Sequence, residues 1–137
     1  MLLKSDKGEI YIPSKRKTNS RILPLQSQQI LPLIKYMEIY RPLLQEKTQN
    51  YSEQLILSSQ GRLAFIHSLF KTLKGINHTI KNTKQIRASV ISHWLKHYNI
   101  REVQYMAGHR YISSTERYLQ DDLEYLQDTI ASLHPVG

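Results

Sequence analysis

Gly108, His109 and Tyr118 lie in the run AGHRYISSTERYLQDD, with the tyrosine nine residues after the histidine. A phenol of pKa about 10 is mostly protonated at neutral pH and a weak nucleophile, so Tyr118 needs cationic neighbours before it can do covalent chemistry. Lys84 and Arg87 lie upstream and three apart, which puts both on one face of a helix's first turn, close to backbone amides without intrahelical partners. An arginine there can grip two phosphate oxygens through its fork, and a lysine beside it adds a point charge. The pair therefore reads as a phosphate seat, with two solvated charges beside an apolar stripe as the plainer alternative.

Other reactive residue types are explained more simply. Ser113, Ser114 and Thr115 match no nucleophile elbow and suit helix capping. His93 and His97 are four apart, but HWLKH lacks the acidic residue of the zinc-protease pattern and no third ligand is visible, so a surface pair is the reading and no metal is expected. The chain has no cysteine, which removes disulfide frameworks, thiolate zinc sites and thiol nucleophiles together and fits a reducing cytoplasm.

These residues need a frame, and 137 residues are enough for one domain with a real core. The charge of +8 and the pI near 9.7 favour a polyanionic partner such as nucleic acid. No secretory h-region and no run approaching a membrane span is present. GEIYIP alternates around Ile10 and Ile12, and RILPL follows the polar run SKRKTNS, so the two form a β-hairpin with a long tip carrying Lys15, Arg16 and Lys17, with Arg21 just beyond.

Helices fill the rest. Ile30, Leu33, Ile34, Met37, Tyr40 and Leu44 predict one from Ser27 to about Gln45, with Pro32 and Pro42 blurring its ends. QLILSS, Gln54 to Ser59, is a strand or a buried extended link, and a second helix covers Leu63 to Leu73 with Gly75 ending it. Asn82 and Gln85 suggest a capping box ahead of the stripe Ile86, Val90, Trp94 and Tyr98, which Asn99 breaks. A short helix through Val103 and Met106 stops at Gly108 in a left-handed C′ position. Ser113 and Glu116 then suggest a box whose helix presents Tyr118, and Leu123, Leu126, Ile130 and Leu133 make an apolar seam in a last helix from Asp121 to Leu133. The fold class is α+β, mainly α-helical: an N-terminal β-hairpin followed by a helical bundle.

KQIR at Lys84 to Arg87, AGHRYISSTERY at Ala107 to Tyr118 and the earlier KTNSRILPL together resemble the catalytic domain of the tyrosine recombinases, the phage-integrase family. In that family a His-x-x-Arg opens a helix, a Leu-Gly-His run ends a short helix some twenty residues later, and the nucleophilic tyrosine stands nine residues after that histidine. Arg87, Gly108, His109 and Tyr118 fall on those places, and Lys84 stands where the family usually has histidine. The resemblance further implies a catalytic lysine at the hairpin tip, with Lys17 as the match and Lys15 as the fallback.

What the resemblance implies is attack on a DNA phosphodiester with a 3′-phosphotyrosyl intermediate that rejoins strands without ATP, metal or cofactor. Arg87 and His109 would stabilise charge on the non-bridging oxygens, and Lys17 would protonate the departing 5′-oxygen. Lysine at position 84 can donate to a phosphate but accepts a proton near neutral pH only if its pKa is strongly lowered. Double-stranded DNA is the implied partner, with Lys15, Arg16 and Arg110 among its contacts, in a nucleoid-associated protein of the bacterial cytoplasm. The C-terminal seam would serve either a homo-oligomer, a tetramer on DNA, or packing on the chain's own core.

The family's first catalytic arginine lies upstream of the hairpin, and its helical core-binding domain further upstream. The expectation is thus a single partial catalytic domain, residues 1–137, with both upstream pieces absent. Two alternatives carry different expectations. A catalytically inactive DNA-binding remnant would bind without forming an adduct. A basic helical module for RNA or protein would have Arg87, His109 and Tyr118 on different faces. Type IB topoisomerases use related chemistry, but nothing suggests their larger architecture.

Overall fold

A computed structural model describes residues 2–4, 8–60 and 62–121, with side chains from residue 8 onward except for residues 61–63. Its contacts divide the chain into two compact units, residues 1–13 with 20–81 and residues 14–19 with 82–137. The C-terminal seam from Leu123 to Leu133 lies outside the described residues.

In the first unit the expected hairpin forms from β2, Glu9–Ile12, and β3, Arg21–Pro24, paired antiparallel so that Ile10 faces Leu23 across the ladder. A third strand was not expected: β1, Leu2–Lys4, pairs antiparallel with β2 and makes the sheet three-stranded, in the order β1-β2-β3. Three residues are too few for a period to be read.

The helix expected from Ser27 is α1, Ser27–Lys35, which runs through a π-helical turn at Tyr36–Tyr40 into α2, Arg41–Thr48. Pro42 has no N–H and its ring crowds the carbonyl four residues back, so the wider π turn just before it lets the chain stay helical where a strict α-helix would break. The run ends at Gln49 in a left-handed conformation, φ 50°, slightly beyond the expected limit at Gln45.

QLILSS is a link and not a strand, but it bends at Leu55 and Ile56 where an extended run was expected, and buries Leu55 and Leu57. Its backbone is held by side chains: Arg41 Nη2 donates to the carbonyls of Ser52 (2.7 Å) and Gln54 (3.0 Å), and Tyr36 Oη accepts from the Leu57 amide at 2.9 Å. An apolar groove lined by residues including Leu33, Tyr36, Tyr40, Leu44 and Ile56 lies beside this link, and no candidate site residue borders it.

Helix α3, Arg62–Ile76, passes through Gly75, contrary to the expected stop. A Cβ at Gly75 would meet nothing within 4 Å, and no left-handed conformation occurs there, so the glycine is an ordinary helical residue. The turn is made two residues later, where Asn77 Oδ1 accepts from the amide and hydroxyl of Thr79 at 3.0 and 2.7 Å.

The second unit is built on α4, Thr83–Leu95, and α5, Ile100–Ala107. Asn82 caps α4, its Oδ1 accepting from the Gln85 amide at 2.8 Å. Asn99, expected only as a breaker, is the N-cap of α5. Its Oδ1 accepts from the amides of Arg101 and Glu102, both at 3.0 Å, and Glu102 Oε2 accepts from the Asn99 amide at 3.0 Å. Asn99→Ala removes the oxygen on which two amides end, so urea unfolding followed by circular dichroism should show a loss of about 1 kcal/mol.

The buried face of α4 differs from the expected stripe. Ile91, 1% exposed, joins Val103 and Ala107 of α5 in the core, with Trp94, Leu95, Met106 and Tyr118 packed on it, while Val90 and Tyr98 are exposed. The inward stripe runs from Arg87, exposed at its outer end, through Ile91, Trp94 and Leu95, spaced i, i+4, i+7, i+8, and so begins with an arginine. Gly108 closes α5 in the left-handed region at φ 71°, as expected of a C′ glycine. Residues 113–121 form α6. Its first turn is satisfied by backbone, with the Thr115 and Glu116 amides on the Ile112 carbonyl at 2.7 and 3.0 Å, and no hydrogen bond joins Ser113 to Glu116 among the described residues. The expected capping box at this helix is therefore not formed.

Candidate active site

Every candidate residue named from the sequence belongs to the second unit. Arg87 sits one turn into α4 on the inward stripe, and its Nη2 donates to the Ala107 carbonyl at 2.8 Å, one of the orphan acceptors at the end of α5. The same Nη2 lies 3.2 Å from His109 Nε2. This nitrogen thus ties the start of one helix to the end of the next, while the residue as a whole is exposed.

His109 is placed by its backbone and by both ring nitrogens. Gly108 turns the chain so that the His109 amide returns to the Gln104 carbonyl at 3.0 Å, and Gln104 Nε2 donates to the carbonyls of His109 (3.3 Å) and Arg110 (3.4 Å). Gln104 gave no signal in the sequence, since an amide three residues before a helix stop has no characteristic spacing. His109 Nδ1 lies 2.8 Å from Thr115 Oγ1, and Thr115 is 0% exposed.

Tyr118 lies in α6, half-buried on the Ile91, Val103 and Ala107 cluster. Its ring is parallel to that of His109, 8° between planes and 5.9 Å between centroids. The phenol hydroxyl makes no hydrogen bond among the described residues. Arg87, His109 and Tyr118 therefore converge on one patch, the opposite of what an accidental motif match requires.

The hairpin tip reaches the same patch. Lys15 and Thr18 exchange backbone hydrogen bonds at 3.0 and 3.1 Å, closing a tight turn whose two central residues are Arg16 and Lys17. Thr18 bridges to His109, and the Asn19 amide donates to the Gly108 carbonyl at 3.1 Å. Lys15, Arg16 and Lys17 are exposed on this anchored tip. The long tip read from SKRKTNS is thus a docked structure, and the residues that dock it, Thr18 and Asn19, were missed because backbone pairing leaves little trace in residue type.

Lys84 is exposed in the first turn of α4, three residues before Arg87, and makes no hydrogen bond to the other candidates. Arg110 is exposed just beyond His109. The patch so defined has three lysines and three arginines around a histidine and a tyrosine, and can seat an anion beside a phenol. His93 and His97 are exposed at the far end of α4, with ring centroids 4.7 Å apart. Among the described residues no group of three or more His, Asp, Glu or Cys could hold a metal ion, and no helix is long and apolar enough to cross a membrane.

A family model described as the phage integrase family matches residues 3–124, a span that includes the whole site, and the chain belongs to that family. It is also similar to the proteins named tyrosine recombinase XerD of Staphylococcus aureus strains Mu50, N315 and COL, at 36% identity over 104 residues in each case. The matched stretch covers 72% of this chain and 35% of each relative, so the chain spans about a third of the length of these curated proteins. Comparison with solved structures gives no significant match.

Proposed function

We propose that this chain is the C-terminal part of a tyrosine recombinase catalytic domain, which cleaves and rejoins double-stranded DNA through a 3′-phosphotyrosyl intermediate. The observation that carries the reading is the convergence of Arg87, His109 and Tyr118, with the basic hairpin tip anchored to the same turn. Tyr118 Oη attacks the scissile phosphorus; the P–O5′ bond breaks, the phenol proton passes to solvent water, and the 5′-oxygen takes a proton from Lys17. Arg87 and His109 hold the non-bridging oxygens, where negative charge grows in the transition state. Lys84 adds a cation at the α4 N-terminus, where unpaired amides favour an anion.

Binding rests on phosphate contacts, so affinity should fall steeply with salt. Arg16→Ala at the exposed tip should weaken binding to unrelated duplexes alike and reduce the slope of log K against log salt by about 1. Fluorescence anisotropy at several salt concentrations measures this, and an unchanged slope would take Arg16 out of the interface.

The test of the function is covalent capture. A nicked duplex that loses a short 3′ fragment on cleavage cannot religate, so a protein–DNA adduct accumulates and survives denaturing electrophoresis. The reading predicts this adduct for the chain, or for a longer recombinase that carries it. Binding without any adduct in either setting would identify a DNA-binding remnant instead.

A further inference from the structure

The turn at residues 108–110 carries three parts of the site at once: the His109 ring, the Arg110 side chain, and the anchor of the hairpin tip, since the Asn19 amide ends on the Gly108 carbonyl at 3.1 Å. Gln104, half-buried in the last turn of α5, grips this turn twice. Its main-chain carbonyl accepts from the His109 amide at 3.0 Å, and its side-chain Nε2 donates to the carbonyls of His109 and Arg110 at 3.3 and 3.4 Å. The first grip is what any residue at this place before a left-handed glycine makes; the second needs a side chain with two donors at one end. No step of the proposed reaction uses that side chain.

Opposite chemistry fixes the two ends of the amide. Arg101 stands three residues earlier on the same face of α5, and its Nη1 donates to Gln104 Oε1 at 3.4 Å; a guanidinium has donors only, so it selects the oxygen. The carbonyls of His109 and Arg110 are acceptors only and select the NH2 group. A flipped amide would set donor against donor at Arg101 and oxygen against oxygen at the turn, so a single orientation satisfies every partner. We propose that Gln104 is the positioning residue of this turn: its amide, oriented by Arg101, clasps the main-chain carbonyls of His109 and Arg110 and thereby fixes where the His109 ring, Arg110 and the docked tip with Lys17 meet a phosphate. The clasp acts on the main chain alone, so the His109 ring keeps its donor role toward the non-bridging oxygens. As far as catalysis is concerned the proposal rests on the recombinase reading, but the clasp does not.

Two substitutions separate the clasp from the bulk of the side chain. Gln104→Met keeps the length without a donor, and Gln104→Glu keeps the shape and the Arg101 contact but turns an oxygen toward the two carbonyls, acceptor against acceptor. The measurement is residue-resolved amide hydrogen exchange by NMR on the full chain. In Gln104→Met the His109 and Asn19 amides, which hold the turn from α5 and from the tip, should exchange about 5–10-fold faster than in the wild type, the worth of one ordinary hydrogen bond, and in Gln104→Glu faster still. The amides of Ile91 and Val103 should keep their rates. Unchanged exchange at His109 and Asn19 overturns the proposal, and so does an equal acceleration at Ile91 and Val103, the mark of a residue that only stabilises the fold. Should Gln104→Met fail to fold, Gln104→Glu, which keeps size and polarity, carries the comparison alone.

In the covalent capture assay at saturating DNA, Gln104→Met should slow adduct formation by roughly 10–100-fold, since a misplacement of about 1 Å among reacting groups can cost 10²-fold. Its affinity for duplex should stay at the wild-type value, because no cation is lost. Faster exchange with an unchanged capture rate would leave Gln104 a structural residue and contradict the positioning role. Absence of capture by the wild type would instead count against the recombinase reading and leave the exchange rates to judge the clasp.

Discussion

In Tyr118→Phe, covalent capture of the nicked duplex falls below detection while the fold and the affinity for DNA are kept. The substitution removes one oxygen and nothing else. That oxygen makes no hydrogen bond among the described residues, so its loss leaves no partner unsatisfied, and unfolding stability should change by less than about 1 kcal/mol. The ring that stacks on His109 and packs against Ile91, Val103 and Ala107 is still there. Phosphate affinity follows the number of cations, which the variant does not alter. Adduct formation needs the phenol oxygen itself, and no other group of the patch can replace it as the atom bonded to phosphorus. Electrophoresis of denatured adduct reads the first outcome and anisotropy the second; adduct at the wild-type rate would remove Tyr118 from the chemistry.

The second large effect is expected at Arg87. Arg87→Ala deletes the donor that the proposed reaction sets on the non-bridging oxygens, and loss of one such donor slows a reaction by about 10²–10³-fold. It also frees the Ala107 carbonyl and His109 Nε2 from their shared partner, so the loss should reach or exceed that range. Arg87→Lys separates charge from geometry. An ammonium restores the cation but lacks the planar fork, so it cannot hold the end of α5 while gripping a phosphate with parallel donors. Capture by the lysine variant should stay well below wild type at DNA concentrations that saturate both proteins. Recovery to the wild-type rate would mean that Arg87 contributes charge alone.

The parts of this molecule legible in its sequence are those where the backbone makes a local demand. Asn82 and Gly108 mark a helix start and a helix end because an orphan amide and a left-handed φ each select a residue type. Spacing alone does not nominate Arg87, His109 and Tyr118 as one site; their ordered combination does so through the family resemblance, which also supplies their roles.

Illegible were the features decided by a partner element. Ile86, Val90, Trp94 and Tyr98 satisfy helical spacing as well as Arg87, Ile91, Trp94 and Leu95 do, and only the packing of α5 selects the second set. An arginine on the inward stripe counts against it in any apolar tally, yet here its guanidinium ends on the Ala107 carbonyl. Gly75 looked like a helix end because glycine there is permitted to be one, but nothing required it. Thr115 was read as a cap; its hydroxyl faces a histidine six residues back, a contact made by the turn at Gly108 and not by any helical period.

The central claim is that one tyrosine among nine, Tyr118, becomes bonded to the 3′ phosphate of cleaved DNA. It is tested most directly by digesting the captured adduct with protease and nuclease and locating the residual nucleotide by tandem mass spectrometry. The prediction is a phosphotyrosyl link on Tyr118, in the peptide that follows Arg117, with a free 5′ hydroxyl on the released strand. A link at Tyr111, at a serine, or through a 5′ phosphate would contradict it.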